Sequence, residues 1–361
     1  MKHLRLIADD LTGALDTAAQ FAGAGRSIPV YLNGTMPGPE AGDLAVDAAT
    51  RDTSAKAATE AAARLAPFLA PDRATLAYKK VDSRLRGHPG LELATVIREG
   101  KFPYCIIAAA FPVHGRVTRG GRQVLLSENA ALPVGEDIAG VLRSQGLAVS
   151  LKRPGESVPE GISVWDAESD LELALIAKAG VALEKPVLWC GSGGLAAALA
   201  GPRDRGRFLL ERPILGILGS DHPVTVAQLA ACGQGVLMTR DGFSDAPRVA
   251  TRLLGEGACL VGFDIPKATS RPEAANLIAA AVRGLLGGIP RPATLVVSGG
   301  ETTRAVCMAV SARHLLVEGE VSPGIPVSRI VGGVWDSVRV VSKSGAFGDE
   351  MLLLRLTEVL G

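Results

Sequence analysis

The chain has 361 residues, with 38 Lys plus Arg against 37 Asp plus Glu, a net charge of +1 that calls for neither a nucleic-acid partner nor an anionic membrane surface. Its residues are 47% hydrophobic but only 4% aromatic, so the core must be mostly Ala, Val, Leu and Ile, as where helices pack on parallel sheets. Five scattered cysteines without a CxxC pair, five scattered histidines without zinc-ligand spacing, and no apolar run of about 18 residues predict a soluble, cytoplasmic protein with reduced thiols, no structural zinc and no membrane anchor.

Short apolar runs alternate with longer Ala-rich amphipathic stretches. The predicted strands are 4–8, 29–32, 44–47, 76–80, 105–109, 187–190, 214–218, 259–263, 294–298 and 338–341. The predicted helices are 12–24, 54–69, 90–98, 166–179, 194–200, 223–231, 247–254, 272–286, 302–312 and 349–360. Strand-then-helix alternation implies right-handed βαβ units and parallel sheets. Residues 201–213 (GPRDRGRFLLERP) are rich in Pro, Gly and charge and precede the apolar run ILGIL. They read as a linker, giving an N-terminal domain of residues 1–205 and a C-terminal domain of 206–361. The fold class is α/β: two Rossmann-like domains, each a mainly parallel sheet flanked by helices, with the active site expected in the interdomain cleft.

Candidate chemistry gathers where predicted strands end. The first strand runs into Asp9-Asp10-Leu11-Thr12-Gly13-Ala14. Two adjacent carboxylates there can accept hydrogen bonds from substrate hydroxyls, act as a base or hold a metal, and one of them can instead cap the following helix. The next cluster is Tyr78-Lys79-Lys80-Val81-Asp82-Ser83-Arg84-Leu85-Arg86-Gly87-His88. Its cations at a strand end suit a carboxylate or phosphate ligand; the plain alternative is a solvated basic loop. After the strand at 105–109 comes Phe111-Pro112-Val113-His114-Gly115-Arg116, where Arg116 could reach a ligand. Cys190-Gly191-Ser192-Gly193-Gly194-Leu195-Ala196 has the look of a dinucleotide fingerprint, and reads equally as an anion site or a tight packing turn.

Three Gly/Ser turns follow strands in the second half: Gly219-Ser220-Asp221-His222, Ser298-Gly299-Gly300-Glu301-Thr302, and Lys343-Ser344-Gly345-Ala346-Phe347-Gly348-Asp349-Glu350. On one edge of a parallel sheet their backbone N–H groups and helix N-termini would cradle phosphates. Asp349 or Glu350 could face Mg²⁺, or could simply complement a helix dipole. No GxxxxGK[ST], GxSxG or HExxH occurs, which excludes a P-loop and offers neither a nucleophile elbow nor a zincin site.

In this order the motifs resemble those of the four-carbon acid sugar kinases: A-D-D-x-T-G-A at 8–14, Y-K-K-x-D-S-x-L-R-G at 78–87, a Pro segment with G-R at 111–116, G-S-x-G-L-A at 191–196, then G-S-x-S-P-V-T, S-G-G-E/D-T and K-x-G-x-F-G. The resemblance spans nearly the whole chain. It implies an N-terminal domain for the acid sugar and a C-terminal domain for ATP. Asp9, Asp10, Ser83, Arg86 and Gly87 match positions near the acid. Ser220, Gly299, Gly300, Glu301, Thr302 and Gly345 match the nucleotide side. The expected activity is ATP- and Mg²⁺-dependent in-line phosphorylation of a hydroxyl of a threonate- or erythronate-type acid. Asp9 or Asp10 would serve as the base. Lys80, Asp82, Ser83, Arg86, Gly87 and Arg116 are the substrate contacts expected. No metal ligand is assigned, and a homodimer is left open. Two departures stand out: His222 replaces the second Ser of G-S-x-S-P-V-T, and the chain is shorter than expected for the family. The rival readings are an NAD(P)-dependent oxidoreductase of small hydroxy acids and a non-catalytic sugar-acid or nucleotide sensor.

Overall fold

The computed structural model describes residues 2–23, 25–35, 42–127, 130–202, 208–266 and 268–358. The chain divides into one unit of Met1–Phe21 and Ile28–Asp204 and a second of Ala22–Ser27 and Arg205–Gly361. The predicted linker, 201–213, lies partly outside the described residues, as does the end of the helix predicted at 349–360.

In the first unit, the elements are β1 (His3–Ala8), α1 (Leu11–Phe21), β2 (Ile28–Tyr31), β3 (Leu44–Asp47), α2 (Ala55–Leu65), β4 (Thr75–Lys80), α3 (Pro89–Gly100) and β5 (Tyr104–Ala108). Then come β6 (Arg116–Arg119), β7 (Arg122–Ser127), β8 (Ala130–Pro133), α4 (Ile138–Ser144), β9 (Val149–Lys152), β10 (Gly161–Trp165), α5 (Asp170–Val181), β11 (Val187–Gly191) and α6 (Gly193–Ala200). The main sheet runs β2-β3-β1-β4-β11-β5-β10-β9, every pair parallel. A parallel sheet covered on both faces needs continuous apolar strands, and β11 and most of β1 and β5 are buried residue after residue. On one face Ile7, Val46, Leu65, Leu93, Leu142 and Leu188 form a single core. α1 packs on the sheet and against α6. Ten of its eleven residues are buried, Asp16 and Gln20 included. The antiparallel sheet β6-β7-β8 lies outside the predicted pattern, since its strands are short and β8 is exposed along its length.

The second unit holds β12 (Ile214–Leu218), α7 (Pro223–Ala231), β13 (Val236–Thr239), α8 (Ala246–Gly255), β14 (Ala258–Phe263) and α9 (Arg271–Gly287). It continues with β15 (Thr294–Ser298), α10 (Gly300–Ala309), β16 (His314–Ser322), β17 (Ile325–Val331), β18 (Arg339–Lys343) and α11 (Leu352–Glu358). Its strand order is β13-β14-β12-β15-β18-β17-β16; the first five strands are parallel, and β17 and β16 are added antiparallel. No helix among the described residues is long and apolar enough to cross a membrane.

Register decides what the strand ends bring together. Ala8 of β1 pairs with Asp47 of β3 and with Lys80 of β4, so three strands finish level. In the second unit Leu218, Ser298 and Lys343 do the same for β12, β15 and β18.

Consecutive strand residues face opposite sides of a sheet, and β4 uses this to separate two lysines. Lys79 points to α3, where its Nζ lies 2.7 Å from Oε2 of Glu92 with both side chains sealed from solvent. Thr50 Oγ1 donates to the other Glu92 oxygen at 2.8 Å. Burial alone would pull Lys79 down, but the Glu92 carboxylate outweighs it and holds the ammonium above its ordinary range. Removing one partner of such a pair strands the other charge in the core. Lys79→Met should therefore destabilise the protein by about 3–5 kcal/mol. The double change with Glu92→Gln should recover part of that loss. Guanidinium unfolding of the three proteins checks this, and a Lys79→Met protein as stable as wild type would show that the pair is dispensable.

Candidate active site

Three loops meet beyond the level ends of β1, β3 and β4, the crevice where open α/β sheets bind ligands. The β1 loop supplies Asp9 and Asp10, the β3 loop Arg51, and the β4 loop Asp82, Ser83 and Arg86. Arg51 joins them. Its Nε and Nη2 donate to the two oxygens of Asp9 at 2.7 and 2.8 Å, its Nη1 donates to Asp10 at 2.5 Å, and Nη2 lies 3.6 Å from Asp82. The loop backbone follows the same line, with Thr50 N and Arg51 N both donating to the Asp9 carbonyl. Gly87, at φ +79°, closes over Arg51: a Cβ there would stand 3.2 Å from the Arg51 carbonyl, and the left-handed backbone would strain any side chain.

Arg51 is absent from the residues expected at the site. It stands alone in Thr50-Arg51-Asp52, without a cluster or motif to mark it. The available signal was its place just past the predicted strand 44–47, the position that singled out the aspartates.

The adjacent carboxylates sit in different electrostatic states. Burial pushes Asp9 up, but the Arg51 charge and its hydrogen bonds, with Lys80 and Lys79 behind, outweigh that and hold Asp9 below the usual carboxylate range. For Asp10 burial wins: Arg51 and Lys80 pull it down, the Asp9 charge pushes it up, and the net shift is upward. Asp10 is also the more exposed of the two, at 17% against 6%. One Asp10 oxygen accepts from Gly13 N at 2.8 Å, which caps α1. Helix cap and site residue are thus the same side chain.

Lys80 faces the aspartates, not the core. Its Nζ donates to the Val81 carbonyl at 2.9 Å, and a Cβ at Gly13 would come within 2.9 Å of it. Asp82 takes both Nε and Nη2 of Arg86 at 2.8 Å and the backbone N–H groups of Arg84 and Arg86. Burial raises Asp82, but the Arg86 bonds, Arg51 and Lys80 hold it far below the ordinary range. Nη1 of Arg86 has no hydrogen-bond partner among the described residues. Ser83 is buried, its carbonyl accepting from Gln123 at 2.8 Å. Arg116 opens β6. Burial pulls it below the usual guanidinium range, and it is repelled by Arg84 and Arg86 and attracted by Asp82 and Asp16. Its neighbour His114 is pushed down to about 4 by burial and by Arg116.

The Gly191–Ala196 stretch is a packing turn. A Cβ at Gly193 would lie 2.7 Å from Asp16 Oδ2 and 2.9 Å from the Phe111 ring, and one at Gly194 would lie 2.6 Å from the Ala110 carbonyl. Ser192 is fully buried, donates to the Ala110 carbonyl and caps α6.

The second unit brings its three Gly/Ser turns together. Gly299 adopts φ +102° and swings the chain into the N-terminus of α10, where Gly300, Glu301 and Thr302 form the first turn. Gly299 N donates to the Lys343 carbonyl at 3.0 Å, which joins the β15 and β18 turns. A Cβ at Gly345 would collide with Ser220 Oγ, and one at Gly219 with Thr302 Oγ1, so all three turns touch. Lys343 lies beneath them. Its Nζ donates to Thr225 Oγ1 at 3.0 Å and Ser298 Oγ at 3.1 Å, and burial pushes it down to about 8. His222 caps α7: its Nδ1 accepts from Val224 N at 3.2 Å, the bond a serine oxygen would make. Glu301 pairs with Arg304 at 2.5 Å, and Asp349 takes both terminal nitrogens of Arg355 at 2.8 and 2.6 Å. No group of three or more His, Cys, Asp or Glu among the described residues is arranged to hold a metal.

Comparison with known proteins follows the same division. Residues 4–137 match the model of a sugar-binding N-terminal domain, and residues 262–353 that of a nucleotide-binding C-terminal domain. The chain is 32% identical to a D-threonate kinase of Cupriavidus necator, over 96% of this chain and 95% of that one. It is 30% identical to a D-threonate kinase of Salmonella typhimurium, over 96% of each. The solved structure of a Salmonella typhimurium protein covers all of both chains with a TM-score of 0.78 at 20% identity, a likeness of fold. Paired aspartates on a shared arginine in one unit, glycine turns on a buried lysine in the other, and full-length similarity together place the chain in the four-carbon acid sugar kinase family.

Proposed function

We propose that the protein is an ATP-dependent kinase that phosphorylates a hydroxyl of a four-carbon sugar acid, with D-threonate the first acid to test. The first unit would bind the acid, and the second the nucleotide. The observation that carries the reading is the pair Asp9 and Asp10 held on one arginine, Arg51, at the level ends of β1, β3 and β4. Asp9 is clamped through both oxygens by Arg51, whereas Asp10 takes one arginine nitrogen and is more exposed, which suits the two carboxylates to separate tasks. Asp9, held ionised by Arg51, orients the substrate hydroxyls. Asp10, higher in pKa and more exposed, accepts the proton of the attacking hydroxyl as its oxygen forms a bond to the γ-phosphorus and the bond to ADP breaks. Lys80, Arg86 through its Nη1, and Arg116 supply positive charge for the substrate carboxylate.

Nucleotide phosphates would lie on the turns at Ser220, Gly299 to Thr302 and Gly345, taking backbone N–H groups and the N-terminus of α10. The residues beside these turns do not make a resident Mg²⁺ cage, because Glu301 and Asp349 each hold an arginine. They suit a metal carried in on the phosphates, whose charge it would neutralise. The packing of the Gly191–Ala196 turn removes the main support for a dinucleotide-dependent reaction.

Coupled ADP release with Mg-ATP and a panel of D- and L-threonate, D- and L-erythronate and their keto forms tests the activity. Turnover is expected with one acid and absent without it; no release with any member overturns the reading. With the active acid, Asp10→Asn should lower kcat by two to four orders of magnitude. Asparagine can still cap α1, so the fold should survive. An Asp10→Asn enzyme with full turnover removes Asp10 as the base.

The pH dependence has a definite sign. Asp10 must be ionised to act, so kcat/KM should fall as pH drops through its raised pKa. Arg51 lowers that pKa. Arg51→Met should therefore shift the acid limb of the profile to higher pH, and an unmoved limb would detach Arg51 from the base.

The nucleotide turns give an independent test. Gly345→Ala should raise the KM for ATP at least about tenfold, the 1.4 kcal/mol expected of a modest clash, because its methyl collides with Ser220. The KM for the acid should stay within about twofold. Equal changes in both constants would argue against separate sites.

A further inference from the structure

At the other end of the nucleotide unit's strands lies a cavity of about 320 Å³. Pro213 leads into β12, Arg291 to Ala293 lead into β15, and Arg339 opens β18. The cavity is therefore built on the amino ends of the three strands whose carboxyl ends carry Gly219, Gly299 and Gly345. Five-residue strands rising roughly 3.3 Å per residue keep those two ends about 15 Å apart. This is not the nucleotide site.

Its lining is cationic. Arg291, Arg329 and Arg339 line it with Glu211 as the one carboxylate among the lining residues. Each guanidinium is fixed by a backbone carbonyl: Arg291 Nη2 donates to Asp336 O at 2.5 Å, Arg329 Nη1 to Ser337 O at 3.3 Å, and Arg339 Nη1 to Leu209 O. Nearby acids offset part of this charge. Glu318 takes Arg329 Nε at 2.6 Å, and the Asp336 carboxylate accepts from Gly332 N and Ser337 Oγ while facing Arg291 and Arg313. Arg339 has no carboxylate partner among the described residues, so its positive charge is left over. The Nε of Arg339 is also buried with no hydrogen-bond partner among the described residues. A buried donor on a charged group is costly to leave unsatisfied, and it rarely stays so without a ligand or water.

We infer that this cavity binds a small polyanion through phosphate or carboxylate oxygens. Arginine at all three positions suits a planar or tetrahedral oxyanion, which it grips with paired N–H groups. The volume is at the lower end for ligand pockets and limits the occupant to a small molecule. Glu211 in the lining can accept from a hydroxyl of that molecule. Nothing in this assignment depends on the kinase reading.

The test is residue-resolved modification of the whole protein by phenylglyoxal, read by mass spectrometry, with inorganic phosphate and citrate as separate probes. Protection of Arg291 and Arg339, with Arg240, whose side chain is 82% exposed, reacting as before, supports the site. Protection by phosphate alone identifies a phosphate ligand, and by citrate alone a polycarboxylate. Equal modification with and without both probes overturns the proposal. Calorimetry with the protecting probe then compares Arg339→Met, expected to bind at least tenfold more weakly, with Arg339→Lys, expected to fall between it and wild type. An Arg339→Met protein that binds as wild type does would also overturn it.

Discussion

One guanidinium organises the candidate site of the first unit. Arg51 bonds to Asp9 and Asp10 and reaches Asp82, so three strand-end loops from distant parts of the sequence are tied at one point. Remove it and three carboxylates would face one another with little water to screen them, a cost the fold could meet only by moving the loops or protonating an aspartate. The level ends of β1, β3 and β4 make the junction geometrically available, and Gly87 lets the third loop come close enough to close it. Behind it, Thr50 anchors the Arg51 loop to the Lys79–Glu92 pair, so the base of the site is linked to the core.

The second unit solves a related problem with the opposite charge. Its turns are held by backbone contacts too close for side chains and by a lysine that finds hydroxyls in place of a carboxylate. A lysine paired with an acid would leave little field for a phosphate. One surrounded by Thr225 and Ser298 keeps its charge uncancelled beneath the turns.

Much of this frame could be read from the chain itself, for a physical reason. Strands 44–47, 214–218 and 294–298 are apolar runs buried on both faces, and such runs show in a single sequence. β16 and β17, and the β6-β7-β8 sheet, escaped because antiparallel strands mix polar and apolar residues and β8 is exposed along its length. α4 is a seven-residue helix interrupted by Gly140, too short for its periodicity to register. The aspartates and the β4 cluster were legible as groups of like residues at strand ends. Arg51 was not, because its importance comes from contacts with Asp9 and Asp10, some 41 residues away, that only the sheet register creates. The separate fates of Lys79 and Lys80 were likewise hidden until the faces of β4 were known.

His222 carries a consequence of its own. A serine hydroxyl accepts the capping bond from the helix backbone whatever the acidity of the medium. An imidazole accepts it through Nδ1 only as the neutral tautomer with its proton on Nε2, and becomes a donor at both nitrogens once protonated. By using a ring where a hydroxyl would serve, this chain has placed an acceptor that a proton can abolish at the first turn of α7, beside the glycine turns.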